Sequence, residues 1–178
     1  MLILGICGSL RAASVNRNLL HACARLAPPP IEIKLFSGLG DLPLFNPDLE
    51  HQPPNAVETW RLAVAEADAL LIASPEYAHG ISGSMKNALD WLVSSESFAY
   101  KPVAVFNAAP RAHHAQQALK ETLRTMSATL IEEACVSIFV PALHHGEQLL
   151  IDTPDVALSI KRALELLRQG FSLRAIPA

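Results

Sequence analysis

Short apolar runs alternate with helix-period segments along the whole chain, and this alternation restricts the fold more than any other feature. Met1–Cys7 is followed by Val15, Leu19, Cys23 and Leu26, spaced along one face of a helix. Ile31–Leu35 and Ala69–Ala73 read as the second and third strands. Between them lie a long loop over 37–55 and a helix striped by Val57, Trp60, Val64 and Ala67. A third helix carries Met85, Ala88, Leu89 and Leu92. Pro102–Phe106 reads as a fourth strand, and Ala115, Leu119, Thr122, Leu123 and Met126 stripe the helix after it. A fifth strand is expected within Ile131–Val140, and Val156, Ile160, Ala163, Leu164 and Leu167 close the chain as a helix. Five strand-then-helix units with continuously apolar strands predict an α/β fold with a parallel sheet covered on both faces. The elements account for nearly all of residues 1–178, so a single domain without internal repeats is expected.

Composition narrows the function. A hydrophobic content of 51% against 17% charged residues describes a packed chain, not a disordered one. The formal charge of −3, without a basic run, offers nothing to nucleic acid. MLILGIC is too short to span a bilayer and has no basic segment before it, so it reads as a buried strand, with no membrane role expected. Three cysteines without a C-x-x-C favour small core residues and a reducing cytoplasm.

In such a sheet, ligands bind beyond the carboxyl ends of the strands. After Cys7 comes GSLRAASVNRNLL at 8–20. Gly8 permits a tight turn, while Ser9, Arg11, Ser14 and Asn16 supply hydroxyl, guanidinium and amide donors where a helix starts at about Ser14. Free backbone N–H groups, the positive end of the helix dipole and a planar cation suit a phosphate. Neither G-x-G-x-x-G nor G-x-x-x-x-G-K-[ST] is present, so a single terminal phosphate fits better than a pyrophosphate or a triphosphate. The segment SPEYAHGISGSMKNALDW at 74–91 follows the third strand. Its Pro75, Glu76, Tyr77 and Gly80 would border a flat ring whose phosphate tail lies in the first loop. Gly80 and Gly83 allow close approach, and Ser82 or Ser84 would cap the next helix.

The runs G-S-L-R-x-x-S-x-N at 8–16 and S-P-E-Y-x-H-G-I-S-G-x-x-K-N-A-L-D-W at 74–91 closely resemble the NADPH-dependent FMN reductase family of flavodoxin-like proteins. LPLFNPDL at 42–49 and KPV at 101–103 add to the resemblance, which covers most of residues 1–125. It implies a flavodoxin-like, doubly wound five-stranded parallel sheet of order 2-1-3-4-5 with helices on both faces. FMN would be the cofactor, and NADPH or NADH the co-substrate. The acceptor would be a small molecule: a flavin, quinone, azo compound or metal oxyanion. The cofactor contacts implied are Ser9, Leu10, Arg11, Ser14, Val15 and Asn16 in the first loop. Pro75, Glu76, Tyr77, Ala78 and Gly80 in the second would act largely through backbone atoms, with Ala108 after the fourth strand. Two departures stand out. Ala78 occupies a position where the family often has Asn, and NAAPRAHHA at 107–115 replaces a longer glycine-rich loop.

The flavin carries the chemistry in this reading, so no proton-transferring residue is required. His79 is a candidate donor to the acceptor. The pairs His113-His114 and His144-His145 lack a metal-site pattern, and no metal is expected. The absence of G-x-S-x-G argues against a hydrolase. Two alternatives are a flavodoxin-like electron carrier, though such carriers are typically much more acidic, and a flavin-free binding protein. A homodimer or homotetramer is implied by the resemblance. It is also expected from apolar surface at Leu42, Leu44, Phe45, Trp91, Phe98 and Tyr100.

Overall fold

The structure, a computed structural model, describes residues 1–140 and 146–172. In chain order, β1 (Leu2–Cys7), α1 (Val15–Leu26) and β2 (Glu32–Phe36) lead through two 3-10 turns to α2 (Asn55–Glu66) and β3 (Ala69–Ala73). A small hairpin of β4 (Glu76–Tyr77) and β5 (Gly80–Ile81) precedes α3 (Gly83–Asp90). Then come β6 (Pro102–Asn107), α4 (His113–Thr125), β7 (Thr129–Leu130), β8 (Val136–Ser137), α5 (Gly146–Asp152) and α6 (Pro154–Ser172).

The main sheet runs β2-β1-β3-β6-β7 with every pair parallel, and β8 joins β6 further along. This is the expected 2-1-3-4-5 order, β6 being the fourth strand. Side chains alternate between the two faces. Ile3, Leu71, Ala104 and Phe106 pack with Leu19, Cys23, Ile160 and Leu164, placing α1 and α6 on one side. Leu4, Ile6, Leu70, Ile72 and Val105 pack with Trp60, Val64, Met85, Leu89 and Leu119, placing α2, α3 and α4 on the other. Burial on both faces is why these strands read as unbroken apolar runs.

The fifth strand differs from expectation. A 3-10 turn at Glu132–Ala134 divides it, leaving β7 against Pro102–Val103 and β8 against Phe106–Asn107. A continuous strand would turn Glu132 and Glu133 to opposite faces, both helix-covered, and bury a charge. The turn instead lets Glu132 pair with Lys120 at 2.7 Å and with Arg124. Opposite the gap, the Val105 N–H donates to Cys135 Sγ at 3.3 Å, so a thiol replaces the missing carbonyl.

The long loop lies against α3. Asn87 accepts the Phe45 N–H at 2.8 Å and donates to the Pro43 carbonyl at 2.9 Å, while Trp91 Nε1 donates to the same carbonyl at 2.8 Å. Consequently Leu42, Trp91 and Phe98 are buried, and Phe45 packs edge-on against Trp91. The apolar surface expected from these residues is therefore internal; Leu44 and Tyr100 alone of that group are exposed. At the amino ends of the strands, just before β6, Lys101 Nζ donates to the Val64 and Ala67 carbonyls at 2.8 and 2.7 Å and closes the end of α2. Among the described residues no helix is long and apolar enough to cross a membrane.

Candidate active site

Two loops meet at the carboxyl ends of β1 and β3. The Gly8 N–H donates to the Ala73 carbonyl at 2.9 Å, continuing the ladder by one residue. The Gly8 carbonyl accepts hydrogen bonds from Ser82 Oγ at 2.7 Å and Ser84 Oγ at 2.8 Å. Ser82 Oγ also accepts the Met85 N–H, so Ser82 is the N-cap of α3. A Cβ at Gly8 would lie 2.3 Å from Ser74 Oγ, which leaves glycine as the residue that lets the loops close on each other.

Ser14 is the N-cap of α1, its Oγ accepting the Arg17 N–H at 3.3 Å, and Ser9 Oγ accepts the Arg11 N–H at 3.4 Å. Ser9, Ser14 and Asn16 are buried, whereas Arg11 is exposed and makes no ion pair among the described residues. A cavity of about 600 Å³ is lined by Ser9, Arg11, Ser14, Val15 and Asn16 from one loop and Pro75 and Tyr77 from the other. Ala12, Ala13 and Asn18 complete it. Donors thus converge with the unpaired N–H groups of the helix start at one end, and an aromatic side chain stands at the other. The size and the mixture of donors with apolar surface suit a small organic anion with a flat moiety, as FMN is.

The remaining expected residues are placed differently. Leu10 lies outside this cavity, lining two neighbouring ones. Ala108 is buried, its carbonyl accepting the Val140 N–H. Gly80 pairs with Tyr77 in the hairpin, and Ala78 and His79 form its two-residue turn with φ of 49° and 60°. The Glu76 carboxylate points away from the cavity and accepts the Ala115 N–H at 2.8 Å. It caps α4, whose own N-cap residue, Ala112, provides no side-chain bond. That hydrogen bond holds the Glu76 carboxyl below its usual range, with the nearby His79, His114 and His113 acting in the same direction. The His79 ring stacks on His114 with centroids 4.2 Å apart, and His113 lies 4.1 Å from His114.

No cluster of His, Cys, Asp or Glu arranged for a metal occurs among the described residues; His144 and His145 lie outside them. Sequence reasoning missed Asn107, whose side chain binds Ala109, Ala112 and Gln116 and shapes the loop after β6. An Asn ending a strand beside an Ala-Pro loop is the available signal. Burial pushes the Cys23 thiol upward, in keeping with a small core residue.

The sequence profile of the NADPH-dependent FMN reductase family matches residues 1–139. The chain belongs to this family. It is 39% identical over 127 residues to an NAD(P)H-dependent FMN reductase of Pseudomonas aeruginosa, a match covering 68% of each chain. A 2-hydroxy-1,4-benzoquinone reductase from Burkholderia is 42% identical over 86 residues, 48% of this chain and a little under half (46%) of that protein. Among solved structures, the flavoenzyme NAD(P)H:(acceptor) oxidoreductase FerB of Paracoccus denitrificans superposes with a TM-score of 0.76 at 25% identity, covering 95% of this chain and 98% of that one. The family's flavodoxin-like fold accounts for the sheet order.

Proposed function

We infer that the NAD(P)H-dependent flavin chemistry of the family is carried out in the 600 Å³ cavity. Ser9, Arg11, Ser14 and Asn16 hold the FMN phosphate and ribityl chain, with Leu10 and Val15 beside them. Pro75, Glu76, Tyr77, Ala78 and Gly80 border the ring, mostly through the main chain, and Ala108 supports it from the loop after β6. One observation carries this reading: buried hydroxyls, a helix start and the Pro75–Tyr77 edge share a single cavity.

Bound FMN supplies hydride acceptance from the nicotinamide and onward transfer of two electrons to a small acceptor, such as a quinone or a flavin. The chain's part is binding and orientation. The hydroxyl oxygens of Ser9 and Ser14 each accept a backbone N–H, so an anion could take the Ser9 proton directly and the Ser14 proton in place of the 3.8 Å contact between Ser14 Oγ and Cys7 Sγ. Arg11 adds a charge-assisted hydrogen bond from an otherwise unpaired guanidinium. We also propose a single domain acting in the cytoplasm as a symmetric homo-oligomer, supported by the family relationship and by exposed Leu44 and Tyr100. Light scattering tests the assembly against the 19.2 kDa monomer.

A flavin titration tests the site. A hydrogen bond to a charged group contributes about 1.5–3 kcal/mol, so Arg11→Ala should weaken FMN roughly tenfold to a hundredfold. Riboflavin, which lacks the phosphate, should bind the variant and the wild type alike. Equal losses for both ligands, or none for either, would place the phosphate elsewhere.

A further inference from the structure

On the far side of Ser9 from the ring loop, a second cavity of about 410 Å³ opens at the carboxyl ends of β1 and β2. Its apolar part comprises Leu10, Leu35, Phe36 and Leu39. Its polar part comprises Arg17, His21 and Ser37, with Ser9 shared between the two cavities. Arg17 and His21 are four residues apart on α1, so one face of that helix presents both to the cavity. Neither the Arg17 guanidinium nor the His21 ring has a hydrogen-bond or ion-pair partner among the described residues. A carboxylate would ordinarily accompany a half-buried arginine of purely structural purpose. Here the Arg17 N–H is capped by Ser14 Oγ, and the Arg17 side chain is left over.

The chemistry of this lining is that of a nucleoside phosphate site. A planar guanidinium and an imidazole match phosphate oxygens, Ser37 adds a hydroxyl, and Phe36 with three leucines offers apolar surface for a base. We propose that the cavity between α1 and the end of β2 is a second ligand subsite that takes an adenosine phosphate. The proposal rests on FMN occupying the neighbouring cavity, because the order along the sheet edge is then ring loop, flavin phosphate, adenosine phosphate. Two molecules could supply the group. One is the hydride donor, whose adenosine end must rest away from the flavin ring. The other is FAD, whose adenylate continues from the flavin phosphate. The absence of a glycine-rich pyrophosphate motif does not decide between them, since the donors here are side chains.

The test uses the FMN-loaded protein and adenosine 2′,5′-bisphosphate, followed by titration calorimetry. Saturable binding to the wild type is expected, weakened about tenfold or more in Arg17→Ala and less in His21→Ala. FMN affinity should be unchanged in both variants, which also confirms that they are folded. Steady-state kinetics and flavin titrations then separate the sources. If the hydride donor supplies the group, Arg17→Ala raises KM for NADPH without lowering kcat. If FAD supplies it, the variant loses FAD affinity relative to FMN while KM for NADPH stays the same. Failure of FMN itself to bind would overturn the flavin site. Normal FMN binding, with no bisphosphate binding or with binding that ignores Arg17, would overturn the second subsite alone.

Discussion

Gly8→Ala tests how closely the two loops must approach. The added Cβ would stand 2.3 Å from Ser74 Oγ, 2.8 Å from Ser74 Cβ and 2.9 Å from Ser82 Oγ, against an ordinary carbon contact of about 3.5–4.0 Å. The Ser74 hydroxyl can rotate away, but its Cβ cannot. Ser82 can retreat only by lengthening its 2.7 Å bond to the Gly8 carbonyl. Overpacking of this kind costs about 1–3 kcal/mol, and a lost hydrogen bond adds about 1 kcal/mol, for a total near 3 kcal/mol. For a chain of 178 residues that corresponds to a fall in Tm of roughly 6–12 °C. Thermal melts of the flavin-free protein measure it, and FMN titration should show the affinity reduced about tenfold or more as the loops separate. Ser74→Ala in the same background removes the shortest contact and leaves the other two, so it should restore about 1 kcal/mol. A Gly8→Ala protein with wild-type Tm and FMN affinity would refute this account. Absence of any rescue by Ser74→Ala would move the strain away from Ser74.

Three further outcomes are expected. Ala78→Asn should raise stability by about 0.5–1 kcal/mol in denaturant melts, because alanine is strained at φ 49° and asparagine tolerates that region. Glu76→Gln should destabilise the protein in a pH-dependent way. The carboxyl is held below its ordinary value of 4.5, so its contribution is complete above that pH and disappears as pH falls through the lower folded value. Urea melts of variant and wild type should therefore differ at neutral pH and converge in acid. Lys101→Met should lower stability by about 1–3 kcal/mol by leaving the α2 carbonyls unpaired, with FMN affinity unaltered because Lys101 lies at the amino ends of the strands, away from the cavity at their carboxyl ends.

β1, β3 and β6 were legible as unbroken apolar runs, β2 from the alternation of Ile31, Ile33 and Leu35 with charged residues, and the helices from their 3.6-residue apolar stripes. The start of α1 was legible from Ser14 alone, since a hydroxyl before a periodic segment is the usual cap. The fifth strand was legible only in part: β8 falls within the expected Ile131–Val140, but β7 at Thr129–Leu130 precedes it, and the cost of burying Glu132 or Glu133 emerges only once both sheet faces are covered. At the site, local donors around Ser9 and Ser14 could be read directly. The partner of Glu76, Ala115, is 39 residues away and leaves no local trace. The aromatic residues expected at an assembly surface failed for a similar reason. Asn87 and Trp91 bind the Pro43 carbonyl across more than 40 residues and draw the loop over Trp91. Arg17 and His21 show their common face in the sequence, but Phe36 and Ser37 join them only through the β1–β2 pairing.

The division of the fifth strand also bears on how the protein behaves at high concentration. An open sheet ends in two rows of unsatisfied amides, and a long flat border invites another chain to add a strand. Here one border consists of two-residue segments interrupted by a turn bearing Glu132 and Glu133. The other, β2, carries exposed Glu32 and Lys34, paired at 3.4 Å. Neither border gives an incoming chain more than a few residues of uncharged, regular template, so fibrillar self-addition is opposed at both ends of a sheet whose interior strands are almost wholly aliphatic.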